Sequence, residues 1–230
     1  MTPLLKQLQD EIIGHHHAEC VNTLAPYHNL AHMVSVWEIA QRLWIAEKAL
    51  PHFMAFEPEE VSLAKLMVGT LFHDVHHSGG RMDDRSNILW AIREIKQFVL
   101  IKSKVLNDLF SRKYPSEMGS ILYGSLAIVD CTEFPFVKEP KTALERIMRD
   151  ADILYAANSK DPKVIMECLR TEIETARQHQ VTYEDMLQGQ MAFMAGCKLY
   201  TAAGQAMWDE LAEPYLAQLK AYAPRPNIPA

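Results

Sequence analysis

The sequence lacks the features of a secreted, membrane-spanning or nucleic-acid-binding protein. No uninterrupted apolar run approaches the roughly 18 residues of a membrane helix, and the N-terminus lacks the charged and apolar regions of a signal peptide. Basic residues are scattered through a chain of net charge −6, which predicts no binding to duplex nucleic acid. We therefore expect a cytoplasmic protein that does not enter a membrane.

Cysteine is also scarce, with four residues among 230. None of them has the Cys-x-x-Cys spacing of a zinc knuckle or a redox motif. We predict reduced thiols within the core rather than a disulfide framework. The four are Cys20, Cys131, Cys168 and Cys197.

Alternating strand patterns are missing as well, and helical apolar periodicity takes their place almost everywhere. The N-terminal residues form an amphipathic first helix, and the segment 58–76 is apolar on most sides, which predicts a central buried helix. We expect one all-α domain, a helical bundle over residues 1–223, followed by a proline-rich tail at 224–230. The periodic segments are 31–49, 58–76, 85–101, 116–129, 141–157, 161–178, 183–197 and 200–221.

What the sequence does contain is ten histidines, several of them grouped with carboxylates. His28 and His32 are four residues apart and share one face at the start of a predicted helix. His73 and Asp74 end the predicted buried helix, a rigid place from which an imidazole and a carboxylate can converge on one ion. Each pair also fits ordinary surface or helix-end residues, so spacing alone leaves both interpretations open.

A third group supplies a later carboxylate. Asp152 borders the apolar face of the segment 141–157, where a carboxylate is costly to bury unless it is paired or bound to a metal. Asp150, two residues earlier, is expected to be solvated.

The chain order of His32, then His73-Asp74, then Asp152 resembles the HD superfamily of metal-dependent phosphohydrolases, over roughly residues 25–160. The resemblance implies an all-α fold in which these four residues hold a divalent ion. A donor set of two imidazoles and two carboxylates suits Mn, Mg, Zn, Ni or Fe and does not choose among them.

A narrower resemblance is to the cyclic-nucleotide phosphodiesterases. Tyr-His-Asn-x-x-His is matched by residues 27–32, and His-Asp-x-x-His by residues 73–77. By this likeness His28 donates a proton to the leaving oxygen, His77 steadies a water or a second ion, and Asp74 bridges two metals if two are bound. The residues expected to contact substrate are Tyr27, Asn29, Arg85, Asn87 and Glu133, although turn and cap chemistry explains Arg85 and Asn87 equally well.

The chain also departs from those enzymes. It is shorter, it carries His76 and Ser78 where they carry aspartate and proline, and no glutamine is clearly placed to hold a purine. The nearest candidates for that purpose are Gln188, Gln190 and Phe193. Small bacterial and phage members of the superfamily look closer, and their likeness leaves the substrate open.

These observations predict a metal-dependent phosphohydrolase acting on a small phosphoester, with a nucleotide favoured. His28 and His77 favour phosphodiester cleavage slightly over 5′-nucleotidase or triphosphohydrolase chemistry. A nucleotide-sensing helical module remains an alternative, and a two-iron oxygenase would need further ligands that we do not find. The run His15–His17 is expected to be an exposed helix end, and the sequence does not decide whether two chains pair.

Overall fold

A computed structural model describes residues 1–20, 25–51, 57–159 and 161–221. The described residues form helices and no strand, which confirms the predicted all-α single domain. The predicted tail at 224–230 lies outside the described residues. The α-helices are α1 (Pro3–Glu19), α2 (Leu30–Lys48), α3 (Glu59–Phe72), α4 (Asp84–Gln97), α5 (Ser111–Lys113), α6 (Met118–Asp130), α7 (Ala143–Ala157), α8 (Pro162–Arg177), α9 (Tyr183–Gly196) and α10 (Ala202–Ala221).

Polar side chains fix where many of these helices begin. At each such start an oxygen-bearing side chain accepts a hydrogen bond from a backbone N–H of the first turn, which would otherwise lack a partner. Proline follows the cap at the start of α1 and α8, where its missing N–H is not needed. The capping residues are Thr2, Asn29, Asp83, Thr142, Asp161 and Thr182.

Helix α3 forms the centre of the fold, as its apolar sequence predicts. All but one of the residues from Val61 to Phe72 are buried, and the helix packs against α2, α6 and α7. Gly69 lies so close to Ile128 of α6 that a Cβ atom at residue 69 would overlap the isoleucine side chain. The last turn of α3 is therefore held in a fixed position, and so are the residues that follow it.

Helices α8, α9 and α10 form a smaller apolar cluster beside the main core. Met166, Met186, Met194 and Leu219 are buried there, and Ala156 of α7 joins them. This cluster packs along one side of α7, the helix that carries Asp152. It consequently forms one wall of the cavity described below.

Two predictions about buried polar residues were wrong. The run His15–His17 is not an exposed helix end, because His15 and His16 are buried and only His17 is exposed. Asp150 is not solvated, since it is fully buried and accepts hydrogen bonds from the backbone N–H groups of Tyr200 and Thr201. Asp150 therefore holds the start of α10 in place. Burial raises the pKa of the Asp150 carboxyl to about 6.

The eight periodic segments all became helices, but a further helical stretch was missed. That stretch is Val105–Phe110, a π-helical segment that leads into α5, whereas the π-helical turn Phe98–Lys102 falls almost entirely within the predicted segment 85–101. All four cysteines are free, two of them buried and two half-buried. Among the described helices, none is both long and apolar enough to cross a membrane.

Candidate metal centre

The four predicted ligands lie close together in the fold. His32 lies in the first turn of α2, His73 and Asp74 follow the last residue of α3, and Asp152 projects from α7. The Nε2 atoms of His32 and His73 are 3.1 Å apart, and each is 3.0 Å from Oδ2 of Asp74. Oδ1 of Asp152 lies 3.6 Å from His32 Nε2 and 3.5 Å from His73 Nε2.

These separations fit donors arranged around a single divalent ion. Ligand bonds of about 2.1 Å place neighbouring donors about 3.0 Å apart in an octahedron and about 3.4 Å apart in a tetrahedron. The five distances above span 3.0 to 3.6 Å. His32, His73 and Asp152 could therefore hold a divalent ion together, and Asp74 lies against both histidines.

The hydrogen bonding of His73 supports the same conclusion. Its Nδ1 lies 2.8 Å from the carbonyl oxygen of Thr70, so Nδ1 carries a proton and donates it. In the neutral ring the Nε2 lone pair then points at the carboxylates, which is the arrangement that metal-binding histidines adopt. His73 is fully buried, and the side chain of Asp152 is 23% exposed, so the cluster is open only on the side of the carboxylates.

Burial acts differently on the two imidazoles. Burial lowers the pKa of His32, although Asp74 partly opposes this effect. Burial also lowers the pKa of His73, but the charges of Asp74 and Asp152 outweigh it and raise that pKa well above its usual value. Despite its burial, Asp74 has a pKa well below the usual range, because the facing histidines favour its charged form.

His28 lies beside this cluster and is held by a residue that the sequence analysis missed. Its Nδ1 is 2.6 Å from Oε2 of Glu172 in α8, whose other oxygen accepts from the backbone N–H groups of Tyr27 and His28. The Glu172 side chain is almost fully buried. Burial lowers the pKa of His28, but Asp74 and Glu172 reverse this effect and raise it above its usual value.

A signal for Glu172 was present in the sequence. Leu169, Glu172 and Ile173 have the i, i+3, i+4 spacing of one helical face, so the glutamate interrupts an apolar stripe just as Asp152 does. No neighbouring motif directed attention to it, and its partner is 144 residues away in the sequence.

His77 completes the group of histidines. Its ring stacks on that of His28 with centroids 3.6 Å apart and an angle of 26° between the ring planes. Nε2 of His77 is 3.8 Å from Oδ1 of Asp84, a residue of the first turn of α4. The structure therefore brings both predicted catalytic histidines beside the candidate metal site.

The candidate site opens into a cavity of about 550 Å³ formed mainly by α7, α8 and α9, with Tyr215 of α10 at its side. Asp152 and the two stacked histidines line its mouth. The walls are largely apolar, and Phe193 of α9 faces Phe134 with ring centroids 6.0 Å apart. A volume in this range accommodates a small organic molecule.

Of the residues predicted to bind substrate, only Tyr27 lines this cavity. Asn29 caps α2 instead, and Asn87 accepts a hydrogen bond from the backbone N–H of Ser78. Both therefore hold the backbone beside the site.

Arg85 and Glu133 also lie outside the cavity lining. Arg85 donates to Asp130 at 2.6 Å and to Glu133 at 3.3 Å, so carboxylates already neutralise its charge. A contact from either residue to a substrate stays a prediction. Of the three residues considered for a purine, Gln190 and Phe193 line the cavity, whereas Gln188 donates to Glu184.

Comparison with known proteins adds no assignment to this geometry. No protein-family model matches the chain, and no curated protein matches it. The HD-type resemblance accordingly stays a prediction.

Proposed function

We propose that the protein is a metal-dependent phosphohydrolase of the HD type that cleaves a phosphoester of a small molecule, with a nucleotide as the favoured substrate. The observation that carries this proposal is the convergence of His32, His73, Asp74 and Asp152 at distances suited to one divalent ion. A divalent ion held there would lower the pKa of a coordinated water and polarise a phosphoryl oxygen.

His28 is positioned to act as the general acid. His28 lines the cavity beside the candidate metal site, and the carboxylates of Glu172 and Asp74 favour its protonated form. A protonated imidazole can give its proton to the departing oxygen of an ester. The stacked ring of His77 limits the movement of His28 and keeps it at the cavity edge.

This arrangement favours phosphodiester substrates over phosphoanhydrides. An alkoxide is a poor leaving group that gains much from protonation, whereas a phosphate leaving group needs it less. The apolar cavity is large enough for a nucleoside, and Phe193 and Phe134 offer aromatic surface for a base. A nucleotide-sensing module would also bind a nucleotide, but it would not need a general acid beside its metal site.

The test uses metal-stripped protein reconstituted separately with Mn, Mg, Zn, Ni and Fe. Turnover is measured on cyclic nucleotides, linear dinucleotides, nucleoside monophosphates and deoxynucleoside triphosphates. Asp74→Ala should abolish both metal binding and turnover. Metal-dependent turnover of one class would assign the reaction, and turnover confined to triphosphates would replace the phosphodiesterase assignment by a triphosphohydrolase.

A second variant separates catalysis from binding. We expect His28→Ala to keep its metal and to lose turnover, most of all on substrates with alkoxide leaving groups. His17→Ala, an exposed histidine of α1, serves as the control. Tight metal binding by wild-type protein without any turnover would favour the sensing module, and wild-type rates in His28→Ala would contradict the general-acid role.

A further inference from the structure

A second group of metal-binding side chains lies at the end of α1, away from the proposed catalytic cavity. His15, Cys20 and Glu94 each direct one donor atom to a common point, and these atoms all lie within 4.8 Å of one another. All three residues are buried. The proposed phosphohydrolase chemistry uses none of them.

A second imidazole contacts the other oxygen of the Glu94 carboxylate from the turn after α3. Nε2 of His15 is 2.7 Å from Oε1 of Glu94, and Nε2 of His76 is 3.4 Å from Oε2 of the same carboxylate. His76 has a φ of 60°, a left-handed conformation that residues other than glycine seldom adopt. This conformation turns the side chain of His76 towards α4, whereas its neighbour His77 faces the cavity.

The thiol of Cys20 is the least expected member of the group. It is buried beside polar donors, yet among the described residues it makes no hydrogen bond. Its sulfur lies close enough to an imidazole and a carboxylate to act with them as a metal ligand.

We infer that Cys20, His15 and Glu94 form a site for a thiophilic divalent ion such as zinc. One thiolate and one carboxylate balance the charge of such an ion, and three protein donors leave its fourth tetrahedral position to water. The donors come from α1, from the residue that follows it and from α4. The ion would therefore fasten the end of α1 to α4.

The main alternative is a metal-free ion pair. Lys102 lies 3.9 Å from Oε1 of Glu94 and also pairs with Glu19, so a cation is already near the carboxylate. Lys102 is partly exposed, however, and its closer partner Glu19 lies on the outer side. The pair explains the charge of Glu94 but gives no reason for Cys20 to lie beside the same carboxylate.

Cobalt distinguishes the two possibilities because thiolate ligation gives Co²⁺ a charge-transfer band that nitrogen and oxygen ligands do not. The donor set of the candidate metal centre contains only nitrogen and oxygen. Metal-stripped full-length protein, kept reduced, is titrated with Co²⁺ while absorbance and bound cobalt are followed. We expect a thiolate band whose saturation accounts for one cobalt per chain, and we expect it to persist in the double variant His73→Ala and Asp74→Ala.

The ligand assignment is tested by three substitutions. Cys20→Ser should remove the band and one equivalent of bound cobalt, whereas Cys131→Ser, at a cysteine equally buried, should keep both. Glu94→Gln should keep the thiolate band but weaken cobalt binding by about tenfold or more. If Cys20→Ser does not fold, the wild-type spectrum and Glu94→Gln still decide. Absence of the band in wild-type protein, or its survival in Cys20→Ser, would overturn the proposal.

Discussion

His16 provides a quantitative link between burial and the pH dependence of stability. The residue is buried in α1, its Nε2 lies 2.7 Å from the carbonyl oxygen of Leu71, and its ring packs on Phe72. Burial lowers the pKa of His16 from 6.5 to about 4, although the carbonyl partly opposes the effect. The difference of about 2.5 between these pKa values corresponds to about 3 kcal/mol of unfolding free energy.

The sign of this contribution follows from proton binding. Between pH 6.5 and about pH 4 the unfolded chain protonates His16 and the folded chain does not, so lowering the pH favours unfolding. The stabilising contribution is complete above pH 6.5 and is lost as the pH falls through this window. A glutamine at this position carries no titrating group and can still donate to Leu71.

The assay is urea unfolding of wild-type protein and His16→Gln at several pH values, in the presence of a chelator. The difference in unfolding free energy, wild type minus variant, should fall by about 3 kcal/mol as the pH is lowered from 6.5 to about 4 and should be constant above 6.5. His17→Gln, at an exposed position of the same helix, should show no such trend. A difference that does not vary with pH would refute the link between burial and the pKa.

Three further predictions concern the His28–Glu172 pair and the buried contacts of Gly69 and Asp150. Glu172→Gln should lower the pKa of His28 and move the alkaline limb of the pH–rate profile to lower pH, and an unmoved limb would contradict the pairing. Gly69→Ala should destabilise the fold by about 2 kcal/mol in urea unfolding through overlap with Ile128, and Ile128→Ala should lessen that effect in a double-mutant cycle. Asp150→Ala should cost about 3 kcal/mol in urea unfolding because backbone N–H groups at the start of α10 lose their acceptor, and a near-neutral result would show that water replaces it.

The sequence was most informative where periodicity and local chemistry agree. The apolar spacing of 58–76 predicted the buried helix α3, and the caps at Asn29 and Asp83 lie where polar residues precede apolar runs. The stretch Val105–Phe110 was missed because its wide π-helical turns do not follow the period of 3.6 residues.

The sequence was less informative about polar residues inside the core. Three adjacent histidines look like a solvated helix end, and only tertiary packing shows that His15 and His16 point inward towards Glu94 and Leu71. Glu172 was missed for a similar reason. A glutamate within an amphipathic helix normally faces water, and its partner His28 is brought near only by the fold.

The hydrogen bond from His73 Nδ1 to Thr70 has a thermodynamic consequence for metal uptake. Because this bond occupies one ring nitrogen, any additional proton on His73 must occupy Nε2, the same atom that faces the carboxylates. If a metal ion binds there as proposed, the ion and that proton would compete for one lone pair, and uptake of the ion would release a proton. Metal occupancy would then fall with the pH, because the metal-free, protonated histidine is favoured in acid.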